Sequence, residues 1–270
     1  REKKRLLEEV FGKTAEYDED DPLYTAPRPD RLVLIAEAGG IVPLVAMMLS
    51  PNSFARENAA GALMHLALEP ANQIAIAKAN GIAPLVAILD DGTETAHGNA
   101  AKALLRLAVN NEDNQGQTAK HLVALLSSEK EGAQMRAAQV MSQLAKYNPG
   151  SPVTIVNAGA ISPLVNLLSG GTLAAKAEAS NALKNLSLNS PSTQLAIARG
   201  LVVLLDTGSP ESQKHLTQLL LTLAADTENR SAISKAGAIP RLVMQLRNKD
   251  TSVTAQELTA AVLAQLSRDS

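Results

Sequence analysis

Apolar residues along this chain recur in two phrases that alternate six times. The first phrase, in its fullest copies, contains a Pro-Leu-Val run, as in "GGIVPLV", "NGIAPLV" and "GAISPLV". The second phrase is rich in alanine and leucine, as in "NAAGALMHLA" and "NAAKALLRLA". Its apolar residues stand three and four positions apart, which predicts an amphipathic helix. Recurrence at a period of about 40 residues predicts stacked repeats rather than one compact domain.

The spacing between the two phrases is more constant than the amino acids within them. From the leucine of the first phrase to the last leucine of the second, the step is 22 residues in five copies and 24 in the sixth. The leucine pairs are Leu44 and Leu66, Leu85 and Leu107, Leu122 and Leu144, Leu164 and Leu186, Leu201 and Leu223, and Leu242 and Leu266. The third and fifth copies are about one helical turn short before the first phrase. Their opening helix should therefore be truncated or run straight into the next helix.

The sequence of one repeat, residues 72–107, predicts three helices. A short helix with a polar start ends at Asn80 and Gly81, residue types that tolerate the left-handed backbone at a helix end. An apolar second helix follows, with Pro84 in its first turn, where the missing N–H costs nothing. A turn at residues 90–93 leads into a longer third helix. Equivalent breaks between first and second helices are expected at Gly39, Gly159 and Gly237.

The three-helix unit resembles the armadillo repeat, because "AG-x-I-x-P-L-V" opens the second helix and "NAA-x-A-L-x-x-L-A" lies in the third. The related HEAT repeat lacks the short first helix that "NQIAIAKANG" supplies here. The phrases are most similar to those of plant U-box-associated and vacuolar armadillo proteins. The resemblance implies an all-α fold, a right-handed superhelix of six repeats. Their expected ranges are 31–69, 70–110, 111–147, 148–189, 190–225 and 226–270.

Composition narrows the range of functions. The net charge is −2, which gives no bulk electrostatic reason to bind nucleic acid or an anionic membrane. The absence of cysteine excludes a disulfide framework and a thiolate zinc site, and it fits a reducing compartment, the cytoplasm or the nucleus. No apolar run reaches the roughly 18–20 residues that a membrane-spanning helix needs.

No constellation of reactive side chains is visible in the sequence. The four histidines fall in different repeats, so they form no metal-binding pair at three- or four-residue spacing. No G-x-S-x-G motif and no phosphate-binding glycine loop occur. We therefore expect a non-enzymatic protein with no cofactor and no metal.

The resemblance places the third helices along a concave groove that holds an extended peptide. The polar positions that interrupt these helices are the expected contact residues: His65, Lys102, Arg106, Arg136, Gln139, Gln143, Asn181, Asn185, Gln218 and Thr222. Any single one of them could equally be a solvated surface residue. Taken together, these positions make the middle of the groove mildly basic, which favours an acidic or phosphorylated partner segment.

Other functions remain open at this point. In peptide-binding armadillo proteins a ladder of asparagines, with tryptophans in importin-like arrays, holds the peptide. Here Asn185 alone matches the ladder and no tryptophan exists, which disfavours an importin-α-like cargo adaptor. The chain could also be an adaptor or scaffold region of a larger protein, such as a ubiquitin ligase or a trafficking factor.

The sequence also makes a prediction for each end of the chain. Residues 1–30 should form a capping helix, with Leu6, Leu7, Val10 and Phe11 on one side, and an acidic, proline-rich linker. The acidic residues 16–21 could fold back over the groove and compete with a partner. No polar capping helix follows the sixth repeat, so we expect either that the native chain continues or that this end packs on a second copy.

Overall fold

The structure is a computed structural model that describes residues 29–188, 190–207, 210–248 and 251–269. These residues contain helices and connecting turns, with no strand. The α-helices, in chain order, are α1 (Pro29–Glu37), α2 (Ile41–Met47), α3 (Ser53–Leu66), α4 (Pro70–Lys78), α5 (Ile82–Asp91), α6 (Glu94–Leu107), α7 (Glu112–Leu125), α8 (Glu131–Tyr147), α9 (Ser151–Asn157), α10 (Ile161–Gly170), α11 (Leu173–Leu186), α12 (Pro191–Thr207), α13 (Pro210–Leu223), α14 (Thr227–Lys235), α15 (Ala238–Arg247) and α16 (Val253–Leu266). A short 3₁₀ helix, Ser267–Asp269, follows. The expected capping helix and acidic linker lie outside the described residues, apart from Pro29 and Asp30, which open α1.

The chain divides into two compact units, residues 1–121 and 122–270, with the boundary inside α7. No single helix of the described part is both long and apolar enough to cross a bilayer, although two bent pairs, α4 with α5 and α9 with α10, pass on length and composition alone.

Left-handed residues separate the first and second helices of four repeats. Gly39, Asn80, Gly159 and Gly237 have φ values of 80°, 59°, 89° and 82°. These are the breaks expected from the sequence, and Pro43, Pro84, Pro163 and Pro240 lie in the first turn of the helices that follow. The all-α repeat fold predicted from the sequence is confirmed.

The two shortened repeats have no such break. Helix α7 runs without interruption from Glu112 to Leu125, and α12 runs from Pro191 to Thr207. Gly200 is enclosed within α12, where Ile161 and Val165 pack close to it. Of the two expected alternatives, a truncated first helix or one that runs straight into the second, the structure shows the continuous helix in both repeats.

The repeated leucines form the core of each unit. Leu85, Leu122, Leu164, Leu201 and Leu242 are all fully buried, whereas the equivalent Leu44 of the first repeat is half-buried. The last leucines of the third helices behave in the same way, since Leu66 and Leu186 are buried and Leu266 of the final repeat is half-buried. Each repeat therefore completes its burial through its neighbours.

Buried polar side chains at the start of the first helices bond the end of the preceding third helix. Asn72 Nδ2 donates to Leu66 O at 3.1 Å and also to Leu32 O of the previous repeat at 3.2 Å. At the equivalent positions Asn114 Nδ2 donates to Leu107 O at 2.9 Å and Thr193 Oγ1 donates to Leu186 O at 2.7 Å. The last carbonyls of a helix have no intrahelical donor, so these bonds satisfy them and fix the angle between helices.

We expect Asn72→Ala to lower the free energy of unfolding by about 1–3 kcal/mol, because two buried hydrogen bonds are lost. Asn58→Ala is the control, since Asn58 is exposed on α3, and it should change the value by less than about 0.5 kcal/mol. Urea unfolding followed by circular dichroism measures both. Equal effects would contradict the role given to Asn72.

The left-handed break can be tested with a matched pair of glycines in one repeat. Nothing lies within 4 Å of a Cβ added at Gly159 or at Gly170, but Gly159 alone of the two has a positive φ. Gly159→Ala should destabilise by about 1–2 kcal/mol because of the left-handed backbone. Gly170→Ala, at the end of α10, should be neutral or stabilising by up to about 1 kcal/mol. Thermal unfolding of the two variants checks the sign of each change.

Candidate functional site

The residues expected to bind a partner all lie on the third helices of their repeats. In the first unit these are α3, which carries His65, and α6, which carries Lys102 and Arg106. In the second unit, α8 carries Arg136, Gln139 and Gln143, α11 carries Asn181 and Asn185, and α13 carries Gln218 and Thr222. We call these two sets the third-helix surface of the first unit and of the second unit. Every member is exposed or half-buried, although the positions of the same helices that face the core are buried.

On the first unit's surface, Arg106 contacts the neighbouring repeat. Its Nη1 donates a hydrogen bond of 2.5 Å to Met64 O, in the last turn of α3. A cation at the carboxyl end of a helix is favourable, because the helix dipole places partial negative charge there. Burial lowers the pKa of Arg106 to about 10, so the side chain still carries its charge at neutral pH. Lys102, one turn earlier on α6, is exposed.

A cleft of about 200 Å³ lies beside Arg106. Exposed apolar side chains, Leu68 and Ile74, form part of its wall together with Val109, and the amides of Asn110 and Asn111 form another part. The cleft therefore combines one cation, apolar surface and amide groups within reach of each other. The sequence did not predict it, because its lining comes from two successive repeats, and spacing along the chain does not show which side chains meet there.

On the second unit's surface, Asn185 makes the contact that Arg106 makes in the first. Its Nδ2 donates to Ser142 O at 3.1 Å and to Ser142 Oγ at 3.0 Å. Gln143 and His65 occupy, in the preceding repeat, the positions that Asn185 and Arg106 occupy in their own repeats. In each case the acceptor is the residue just before that position, Ser142 for Asn185 and Met64 for Arg106. The amide predicted to hold a peptide backbone thus also ties α11 to α8.

Two of the remaining predicted residues bond within their own helix. His65 Nδ1 lies 2.9 Å from Gly61 O, one turn back on its own helix, and Thr222 Oγ1 donates to Gln218 O at 3.0 Å. Lys102, Gln139, Asn181 and Gln218 are exposed, which leaves their polar ends in solvent. Arg136 and Gln143 are half-buried.

Sequence reasoning missed one further link on the first unit. Asn99 Nδ2 donates to Glu57 O at 3.4 Å, and the Glu57 carboxylate accepts a bond of 2.5 Å from Thr93 Oγ1. A Cβ at Gly61 would lie 3.1 Å from Asn99 Nδ2, so glycine at this position permits the close approach. Glu57 and Asn99 are separated by about one repeat in the sequence, which is compatible with a contact between neighbouring repeats. Spacing alone, however, does not show which side chains meet.

Lys102 and Arg106 of the first unit's surface and Arg136 of the second carry positive charge, and no member of either set is a carboxylate. Outside these sets, α13 also carries the exposed Lys214. Three carboxylates also lie on third helices outside the sets: Glu57, which is bonded to Thr93, Glu178 and Glu257. Among the described residues no group of three or more histidines and carboxylates is arranged to hold a metal ion.

Comparisons with known proteins agree with this architecture. Residues 148–188 match the model of the Armadillo/beta-catenin-like repeat. The structure of an engineered protein is similar over 84% of this chain and 96% of its own length, with 26% identity and a TM-score of 0.50. A designed armadillo repeat protein in complex with the peptide (KR)4 is similar over 84% of this chain and 99% of its own, with 24% identity and a TM-score of 0.50. No curated protein sequence matches the chain.

Arg106 and Lys102 are both cationic and one turn apart, but they should differ in their effect on stability. Arg106→Ala removes a charge-assisted hydrogen bond and should lower the free energy of unfolding by about 1.5–3 kcal/mol. Lys102→Ala removes an exposed side chain and should change it by less than about 0.5 kcal/mol. Urea unfolding at neutral pH compares them. An Arg106 variant as stable as wild type would show that the bond to Met64 contributes little.

Proposed function

This chain is an armadillo-repeat protein, and we propose that it binds an extended acidic or phosphorylated segment of another protein on its third-helix surfaces. The observation that carries the proposal is the sign of the exposed charge. Lys102, Arg106 and Arg136 belong to these surfaces, and the exposed Lys214 lies on α13, the helix that carries Gln218 and Thr222. Cations in such an arrangement favour carboxylate and phosphate groups on a partner.

Exposed amides on the second unit supply the complementary contacts. Gln139, Asn181 and Gln218 occupy the same position on three successive third helices, α8, α11 and α13. A primary amide offers two donors and an acceptor, which suits the alternating N–H and C=O groups of an extended backbone. Amides spaced by one repeat therefore favour a ligand that is extended, while the neighbouring cations favour one that is acidic.

The cleft beside Arg106 suggests how side chains would be read on the first unit. Its apolar wall would accept an apolar side chain of the ligand, and Arg106 at its edge would attract a neighbouring acidic group. Burial strengthens such an attraction, because water screens a half-buried charge less than an exposed one. A segment that alternates acidic and apolar residues fits this combination.

The designed protein that is similar in structure carries a basic peptide, (KR)4. That peptide has the wrong charge for the surfaces described here, which makes it a useful probe of the proposal. Its counterpart is an acidic octapeptide of the same length, (ED)4.

We expect (ED)4, labelled with a fluorophore and followed by anisotropy, to bind the chain more tightly than (KR)4 does. Lys102→Glu should weaken (ED)4 binding by roughly fivefold, because an exposed charge contact contributes up to about 1 kcal/mol. Lys78→Glu is the matched control, since it makes the same charge change at an exposed lysine of a first helix. Lys214→Glu and Lys235→Glu form the corresponding pair in the second unit.

The substitutions avoid Arg106 and Asn185, because both side chains bond the preceding repeat and their loss would confuse binding with stability. If the third-helix variants and the first-helix controls weaken (ED)4 equally, net charge alone governs binding and the proposed surface is wrong. Preference for (KR)4 would overturn the assigned charge of the ligand.

A further inference from the structure

The cleft beside Arg106 is large enough for about one amino-acid residue. Its volume is about 200 Å³, which is below the roughly 300–1,000 Å³ of pockets that hold a drug-sized molecule. The apolar side chains of Leu68, Ile74 and Val109 and the guanidinium of Arg106 therefore border the same small space. A ligand that uses both must present an apolar group and a negative charge equally close together.

Two neighbouring residues inside an extended segment do not meet this condition. Successive side chains of an extended chain point to opposite sides, and those on one side are two residues, or about 6.5–7 Å, apart. An acidic side chain and an apolar one would therefore not share a cleft of this size. The last residue of a chain does meet the condition, because its carboxylate and its side chain are attached to the same Cα.

We propose that the cleft binds the C-terminal residue of the partner segment, an apolar residue such as leucine whose free carboxylate contacts Arg106. The inference rests on the proposed function, since it specifies how the bound acidic segment ends. Arg106 is the one charged residue among the described residues that line the cleft. One guanidinium balances the single charge of a carboxylate, and its planar N–H groups match the two carboxylate oxygens. Phosphate carries a charge of about −1.5 to −2 and is balanced less well here.

The polar groups of the cleft are held in place by the protein itself. Arg106 Nη1 bonds Met64 O, which fixes the guanidinium. Asn111 Oδ1 accepts a hydrogen bond of 3.0 Å from Asn114 N, which fixes that amide. Asn110 is exposed beside them, on left-handed backbone with a φ of 52°, and its amide group offers N–H donors to a carboxylate oxygen. Groups that are already ordered lose little entropy when a ligand binds.

The second unit offers a matched control position. Val153, on the first helix α9, is the equivalent of Ile74 on α4, and the two side chains are 45% and 48% exposed. Asn185 stands where Arg106 stands in the first unit, so the equivalent place there has no guanidinium. A change at Val153 therefore reproduces the chemistry of a change at Ile74 away from the proposed carboxylate site.

Two peptides of equal net charge test the carboxylate. The first is EDEDEDL with a free C-terminus, and the second is EEDEDEDL with a C-terminal amide. Both carry a fluorophore on a blocked N-terminus. We expect the free acid to bind about tenfold more tightly by anisotropy, because the amide cannot form charge-assisted hydrogen bonds with Arg106. EDEDEDG with a free C-terminus should bind about tenfold more weakly than EDEDEDL, since it has no side chain for the apolar wall.

Substitutions at the two matched positions locate the effect. Ile74→Asp places a second carboxylate in the wall of the cleft and should abolish the preference for the free acid over the amide. Val153→Asp should leave the tenfold preference unchanged. The preference is a ratio of two affinities measured on one variant, so a loss of folded protein does not alter it. Asn110→Gly, which retains the left-handed backbone, should reduce the preference about twofold.

The outcomes separate this inference from the function on which it rests. Equal affinities for the free acid and the amide would overturn it, and so would a preference that survives Ile74→Asp or disappears in Val153→Asp. Lys102 does not line the cleft, so Lys102→Glu should weaken both peptides by the same factor. Equal affinities that both fall in Lys102→Glu would refute the inference alone, whereas failure of either peptide to bind would refute the proposed function as well.

Discussion

Packing of each repeat on the next is the interaction on which this structure depends. A three-helix repeat has too few residues to enclose its own apolar side chains, so its leucines reach full burial when neighbours lie on both sides. Leu164, within the second unit, has such neighbours and is fully buried, while Leu44 and Leu266, in the first and last repeats described, are half-buried. Stability within a unit is therefore distributed over its repeats.

Polar bonds hold the same interfaces in a defined geometry. Asn72, Asn114 and Thr193 each satisfy the last carbonyl of the preceding third helix from a buried position. Arg106 and Asn185, which lie on the third-helix surfaces, also donate hydrogen bonds to backbone carbonyls of the preceding third helix. Because hydrogen bonds are directional, they fix helix angles that apolar contacts alone would leave variable. The third-helix surfaces are consequently held in place by some of the residues that the proposal assigns to ligand contact.

This double use of side chains connects stability with the proposed binding. A ligand that contacted Arg106 or Asn185 would meet groups already oriented by bonds to the preceding repeat, which reduces the entropy lost on binding. Lys102, Gln139 and Asn181 are exposed and would lose more freedom. The exposed residues are therefore the ones whose substitution separates binding from folding.

The amino-acid sequence by itself determined the repeats, the three-helix pattern, the breaks at Gly39, Asn80, Gly159 and Gly237, and the positions of the two shortened repeats. These features depend on local backbone preference and on apolar spacing, both of which are written in short stretches of sequence. Only the tertiary structure decided that Arg106 reaches Met64, that Asn185 reaches Ser142, and that Leu68 and Ile74 border a cleft. The two hydrogen bonds join residues about one repeat apart, and the cleft is lined from two repeats. Their geometry depends on how neighbouring helices pack, which the period of a pattern does not specify.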